Sequence, residues 1–308
     1  MRVGFLGNAP WSVPSLEALA QSPHDVVVVV TRTARPSGRG GRLKRTPVAE
    51  AAGRLGLPVA EVDTVKAGSG FERLTSAHPD ALAVVAYGEI VPRAVLEIPS
   101  RVPVNVHFSL LPELRGAAPV HRAILEGLAV TGVTTILMDE GMDTGSILLQ
   151  EEEVVARTDD SGSLGARLAA IGGRLLVDTL DRAEAGMLDP RPQDDALATH
   201  APKLKGEDEI IHWEEPAGAI VRRVRALSPE PGAATTFRGK RLKVYRAEET
   251  TGQAPPGHID RVSREAIVVG AGEGAVALED VALEGRRRMS VAEFAHGQRP
   301  EPGEALGA

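Results

Sequence analysis

The 308-residue sequence contains no cysteine. Disulfides, thiolate zinc sites, iron–sulfur clusters and a cysteine nucleophile are thereby excluded, and a reducing compartment is expected. No apolar run approaches the roughly 18–20 residues that would span a bilayer. The opening MRVGFLG runs straight into a strand-like stretch, without the longer apolar core and small-residue cleavage site of a secretory leader. A cytoplasmic protein with no membrane partner is the expectation. No Walker sequence occurs, GFLG after the first strand is not G-x-G-x-x-G, and there is no G-x-S-x-G elbow. The eight histidines are scattered without H-E-x-x-H or another dense ligand set, so no metal is expected. Positive charge is also short overall: the formal net charge is −7, and no global attraction to nucleic acid follows. Acidic residues are nevertheless missing from Val26 to Ala49, where Arg32, Arg35, Arg39, Arg42, Lys44 and Arg45 all fall. Taken alone, such a run reads as a solvated loop as readily as a binding surface.

What is present is an ordinary globular composition, 43% apolar and 25% charged, in a chain long enough for about two domains. The first half alternates strand-like and helix-like segments. MRVGFLG, VVVVVT (26–31), ALAVVAYG (81–88), VPVNVHF (102–108) and GVTTILMDE (132–140) read as strands. A helix is expected around Pro14–Gln21 with Ser12 as its cap, and a longer one over 161–185, where Leu164, Leu168, Ile171, Leu175 and Leu176 share helical spacing. This rhythm predicts an α/β fold with a doubly wound, mostly parallel sheet. From Leu188 to Gly206 the chain is rich in Pro, Asp, Thr and Lys without periodicity and reads as a linker. Beyond a short helix near 216–227, segments such as RLKVYRA (241–247), HID (258–260) and AVALEDVAL (275–283) sit between Gly/Pro turns and predict a small C-terminal β-barrel. The expected boundaries are 1–188, a linker at 189–205, and 206–308.

The stretch NVHFSLLPELRG (105–116) carries the first chemical signal. Side chains alternate along a strand, so Asn105 and His107 point the same way at the end of an apolar strand. Open parallel sheets bind ligands at the carboxyl ends of their strands. MDEGMDTGS (138–146) follows another strand and puts Asp143 on a glycine-flanked loop at the same sheet edge. An amide and a protonated imidazole can hold a negative oxygen forming on a carbonyl, and a carboxylate can keep the imidazole charged or take a proton from an amine. With no activated serine or cysteine nucleophile, the set suits direct transfer of an acyl group from a carrier to an amine.

These segments resemble the folate-dependent formyltransferases. NVHFSLLPELRGAAPVHRAI, MDEGMDTGSIL and VVAYGEIVP (84–92) match that family's catalytic half; VRALSPEPGA (224–233) and EGRRRMS (284–290) look like the extra C-terminal domain of the branch that acts on tRNA. The resemblance implies a Rossmann-like formyltransferase domain followed by an OB-like one. It implies a monomer that uses 10-formyltetrahydrofolate as co-substrate and formylates the free amino group of initiator methionyl-tRNA. Carried onto this sequence, Asn105 and His107 stabilise the oxyanion, and Asp143 pairs with His107 and manages the amine's proton. Ser109, Leu110, Leu111 and Pro112 line the folate pocket. Arg39 falls on the position that recognises the acceptor stem, with Arg42, Lys44 and Arg45 meeting phosphates, while Arg115 and Gly116 serve architecture or substrate contact. The clusters Arg222/Arg223/Arg225, Lys240/Arg241/Lys243 and Arg286/Arg287/Arg288 suit an RNA-tracking surface. Residues 206–308 hold 14 basic against 17 acidic side chains, so any such surface depends on charge segregation. Two positions depart from the family pattern: Asn8-Ala9-Pro10, where Gly-Thr-Pro is usual after the first strand, and Phe108. Other acceptors remain open, among them glycinamide ribonucleotide and an amino sugar nucleotide, as do a formyltetrahydrofolate hydrolase and a noncatalytic RNA-binding protein.

Overall fold

The fold is a computed structural model that describes residues 1–37 and 42–307. Contacts divide the chain into two units. The first is Met1–Pro119 with Val130–Val154 and Gly165–Pro202; the second is Val120–Ala129 with Val155–Leu164 and Lys203–Ala308.

From its first residues the chain alternates strand and helix: β1 (Arg2–Gly7), α1 (Val13–Gln21), β2 (Asp25–Arg32), a ribbon of β3 (Arg35–Ser37) and β4 (Arg42–Lys44), α2 (Pro47–Arg54), β5 (Val59–Val62), α3 (Ser69–Ala77), β6 (Ala81–Val85), α4 (Arg93–Leu96), β7 (Val102–His107), α5 (Pro119–Leu125), β8 (Val130–Leu137), β9 (Ile147–Val154) and α6 (Ser161–Glu184). Seven strands form one sheet in the order β5-β2-β1-β6-β7-β8-β9. The first five run parallel, and β8 and β9 add an antiparallel edge. The valine run of β2 and the Ala-Leu-Ala-Val-Val of β6 are buried because helices cover both faces of a parallel sheet. Strand order reverses between β1 and β6, which opens a crevice at their carboxyl ends.

Local chemistry sets the helix positions. Thr46 accepts the Ala49 N–H at 3.0 Å and caps α2. Ser12, expected as the cap of α1, stands at that position but makes no capping bond; its hydroxyl donates to the Val85 carbonyl at 2.6 Å and pins the helix to the end of β6. Helix α6 comes close to the turn before α1 and to the sheet at glycines. A Cβ on Gly165 would lie 2.5 Å from the Trp11 ring, and one on Gly172 2.9 Å from Val106. Residues 191–201, read from composition as linker, are held by backbone bonds within the first unit. Arg191 and Ile147 exchange two at 2.8 Å, and Thr199 and Ala201 bracket Arg115 at 2.9 and 2.8 Å.

The second unit is antiparallel. Helix α7 (Ala217–Leu227) precedes β10 (Ala233–Phe237), β11 (Lys240–Thr250), β12 (Ile259–Val262), β13 (Ile267–Gly270), β14 (Ala275–Leu283), β15 (Met289–Ser290) and α8 (Val291–Gln298). The order is β10-β11-β14-β13-β12. Arg238 and Gly239 both have positive φ and make the two-residue hairpin between β10 and β11. The C-terminal tail closes the sheet into a barrel. Leu306 donates to Gly257 beside β12, and Gly307 donates to Thr236 of β10. Trp213, Ile220, Val224, Phe237, Val244, Leu278 and Phe294 fill the interior.

Candidate active site

Strand β7 delivers Asn105 and His107 two residues apart, so both face the crevice. His107 is 5% exposed, and its Nε2 lies 2.9 Å from the Leu114 carbonyl. A carbonyl only accepts, so Nε2 carries a proton. Nδ1 is then the nitrogen turned to the crevice, and it stands 3.5 Å from Asp143 Oδ1. It donates there only when the ring is imidazolium. Asn105 Nδ2 is 3.4 Å from the same carboxylate oxygen, and the Gly116 amide donates to Asp143 Oδ2 at 2.8 Å. Asp143 itself has φ 57, in the left-handed region that non-glycine residues adopt at a cost. Gly116 has φ 126, and a Cβ on it would meet the Ala201 carbonyl at 2.6 Å. Only glycine brings this amide so close to the 199–201 segment while aiming it at Asp143.

The three groups border a cavity of about 460 Å³ in the first unit. Its walls are largely apolar: Ala9, Trp11, Val84, Ala86, Tyr87, Ile90, Val91, Phe108, Ile136, Met138 and Met142, joined by Asn105, His107, Asp143, Glu89 and Asp139. An apolar slot with a few convergent polar groups is the usual form of a small-molecule site. Burial, and then the charge of Glu89, push the Tyr87 phenol far above its ordinary value, so it stays neutral. Asn8 ties this wall together. Its Nδ2 donates to the Tyr87 carbonyl, while its Oδ1 accepts from Thr31 Oγ1 at 2.9 Å and from the Arg32 amide at 2.8 Å. The departure at Asn8 therefore ties the ends of β1, β2 and β6 to one carboxamide. Phe108 meets Trp11 edge-on at 6.1 Å and forms part of the wall.

The structure thus brings Asn105, His107 and Asp143 together. Ser109, Leu110, Leu111 and Pro112, expected to line the pocket, lie outside its lining. Thr134 of β8 donates to the Ser109 carbonyl at 2.7 Å and accepts the Leu111 amide at 3.1 Å, and Gln150 of β9 donates to the Leu111 carbonyl at 2.8 Å. These bonds draw the segment over the antiparallel edge, and Leu111 packs behind the cavity with Ile136 and Ile147. The cavity wall includes the turn after β6, the loop after β8 and Ala9 and Trp11 after β1. The signal for it was in the sequence: Ile90 and Val91 follow a strand end beside Gly88.

Arg39 lies outside the described residues, and Arg42 is described only as backbone in β4. Lys44 is exposed, and Arg45 is paired with Glu61 at 2.7 Å. The C-terminal clusters are largely engaged within their own unit. Arg223 forms a fork on Glu215, Arg225 donates to the carbonyls of Asp159 and Arg157, Arg241 pairs with Glu209, Arg287 with Glu293 and Arg288 with Asp280. Among the described residues, no cluster of three or more histidines or acids could hold a metal ion, and no helix is long and apolar enough to cross a membrane.

Residues 1–180 match the Formyl transferase family and residues 203–299 the Formyl transferase C-terminal domain. The chain is 43% identical over 310 residues to the methionyl-tRNA formyltransferase of Pelotomaculum thermopropionicum, covering 100% of this chain and 99% of that one. Among solved structures, HypX from Aquifex aeolicus in complex with tetrahydrofolic acid superposes with a TM-score of 0.66 at 18% identity, over 96% of this chain and 47% of that one. The methionyl-tRNA formyltransferase from Clostridium thermocellum superposes with a TM-score of 0.59 at 17% identity, over 92% and 98%. These two likenesses show the fold.

Proposed function

The chain belongs to the formyl transferase family, and we propose that within it this protein transfers the formyl group of 10-formyltetrahydrofolate to the amino group of initiator methionyl-tRNA. The observation that carries the chemistry is the meeting of Asn105, His107 and Asp143 in the wall of a largely apolar cavity. The folate's flat ring system occupies the apolar slot and presents its formyl carbon to those three groups. The amine attacks, and the carbonyl oxygen becomes an oxyanion held by Asn105 Nδ2–H and His107 Nδ1–H. Each such donor is typically worth about 3–4 kcal/mol in the transition state. Asp143, 3.5 Å from the ring, orients the imidazole and takes the amine's proton on its way to the departing folate nitrogen. N-formylmethionyl-tRNA and tetrahydrofolate leave.

The tRNA acceptor is supported by full-length identity to relatives bearing that name and by the acid-free run with Arg39, Arg42, Lys44 and Arg45. In this reading residues 1–188, with the 191–201 segment bonded to them, carry the transfer, and 206–308 meet the RNA. The protein works as a monomer in the cytoplasm, where translation starts. The test is incubation with labelled formyl donor and a panel of methionyl-tRNA, other charged tRNAs, glycinamide ribonucleotide and an amino sugar nucleotide. Label is expected on methionyl-tRNA. Label on a small amine instead, or release of free formate as the main product, overturns the assignment.

A further inference from the structure

Beside the reaction centre a buried arginine, Arg115, is paired with the half-buried Gln193. Arg115 is only 7% exposed, and its Nε and Nη2 donate to Gln193 Oε1 at 3.0 and 2.8 Å. Gln193 Nε2 in turn donates to two carbonyls of the loop after β8, Asp143 at 2.8 Å and Gly145 at 2.7 Å. Both protons and both lone pairs of this carboxamide are therefore engaged, which fixes its orientation. We propose that Gln193, clamped by Arg115, is a positioning residue that holds the backbone of Asp143 so that its carboxylate faces His107.

The geometry favours this over a general packing role. The outer part of the loop, Glu140 to Met142, is exposed, and the loop's internal bonds, from Gly141 and Thr144, run to Asp139. Asp143 sits in the left-handed region, which Asp tolerates better than most L residues but still adopts at a cost. Two carbonyl acceptors on either side of Thr144, satisfied by one amide, oppose relaxation of that conformation. The turn 114–116 unites the parts. Leu114 accepts from His107, Arg115 fixes Gln193, and Gly116 donates to the Asp143 carboxylate. Gln193 falls in the stretch that composition marks as linker, and that stretch instead supplies part of the reaction centre's frame.

The proposal rests on Asp143 acting in the transfer, and a double-mutant cycle on the full-length chain separates the two. Steady-state formylation of methionyl-tRNA is measured for Gln193→Ala, Gln193→Glu, Arg115→Lys, Asp143→Ala and Gln193→Ala/Asp143→Ala, with folding checked by circular dichroism. Displacing a reacting group by about 1 Å can cost on the order of 100-fold. Gln193→Ala and Gln193→Glu are expected to lower kcat by about 10- to 100-fold, with KM for the folate within about 2-fold. In the Asp143→Ala background Gln193→Ala should add less than about 2-fold, because no carboxylate remains to be positioned. Arg115→Lys, which keeps the charge and loses the fork, should reproduce the kcat loss even where Gln193→Ala does not fold. Full kcat in every folded Gln193 and Arg115 variant, or undiminished Gln193→Ala loss on top of Asp143→Ala, overturns the positioning role. A near-normal rate for Asp143→Ala overturns the underlying reading of the site.

Discussion

The Gly116 amide donates to Asp143 Oδ2 at 2.8 Å, and this bond joins the turn after β7 to the loop after β8 at the cavity wall. It leaves Oδ1 for His107 and Asn105. Gly116→Ala would place a Cβ about 2.6 Å from the Ala201 carbonyl, on backbone in a conformation that L residues rarely adopt. Such strain costs on the order of 1–3 kcal/mol. A lower thermal midpoint together with a kcat loss of about 10-fold or more is expected. An unchanged midpoint and rate would show that the turn relaxes without disturbing Asp143.

Asn8→Ala removes the acceptor of the Arg32 amide and the donor to Tyr87. Leaving such part-buried groups unpaired costs about 1–3 kcal/mol. The urea midpoint of the variant should fall accordingly, and affinity for the folate should weaken because Tyr87 belongs to the cavity wall. A midpoint equal to that of the parent chain would contradict the tie between β1, β2 and β6.

Charge in the 32–45 segment should act on RNA and not on folate. Arg39→Ala is expected to weaken use of methionyl-tRNA while folate affinity stays near its parent value. Lys44→Ala should reduce the dependence of RNA binding on salt by about one unit of log–log slope. Arg45→Ala should do less, because Glu61 already opposes that charge. Binding titrations at several salt concentrations check all three, and equal losses for RNA and folate would contradict the division.

His121 gives the expected sign of one pH effect. Burial, and then the neighbouring Arg122, hold its pKa below the ordinary 6.5. The unfolded chain therefore binds more protons than the folded one between that lowered value and 6.5. The His121 contribution to stability is complete above 6.5 and is lost as pH falls through the window. His24, lowered by burial and then by the N-terminal amine, adds an effect of the same sign. His121→Gln should reduce the loss of denaturant midpoint between pH 7 and pH 5 relative to the parent. An identical pH dependence in both proteins would contradict it.

Much of the frame was legible because its residues face one environment each. The valines of β2 and the apolar run of β6 are buried on both faces and announce parallel strands. Asn105 and His107 were legible through strand alternation, and Asp143 through its glycine-flanked loop. Strand β9 was hidden because it is an edge whose Glu151 and Glu153 face Arg174 and Arg167, and its charge masks the strand pattern. The short β5, Val59–Val62, offers too few residues for a periodicity. The anchoring of Ser109–Pro112 to β8 and β9 was not legible, because its partners Thr134 and Gln150 are distant in sequence. Gln193 had no local signal, since its partners Arg115, Asp143 and Gly145 lie about 50 to 80 residues away.

The arrangement of Asn105, His107 and Asp143 around one formyl carbon is tested most directly by single-turnover formylation with His107→Ala, both substrates saturating. Loss of an oxyanion donor typically costs about 10²–10³ in rate. A fall of that size is expected, with folate and methionyl-tRNA binding close to the parent values. A folded variant that formylates methionyl-tRNA at the parent rate would contradict the assignment of this site.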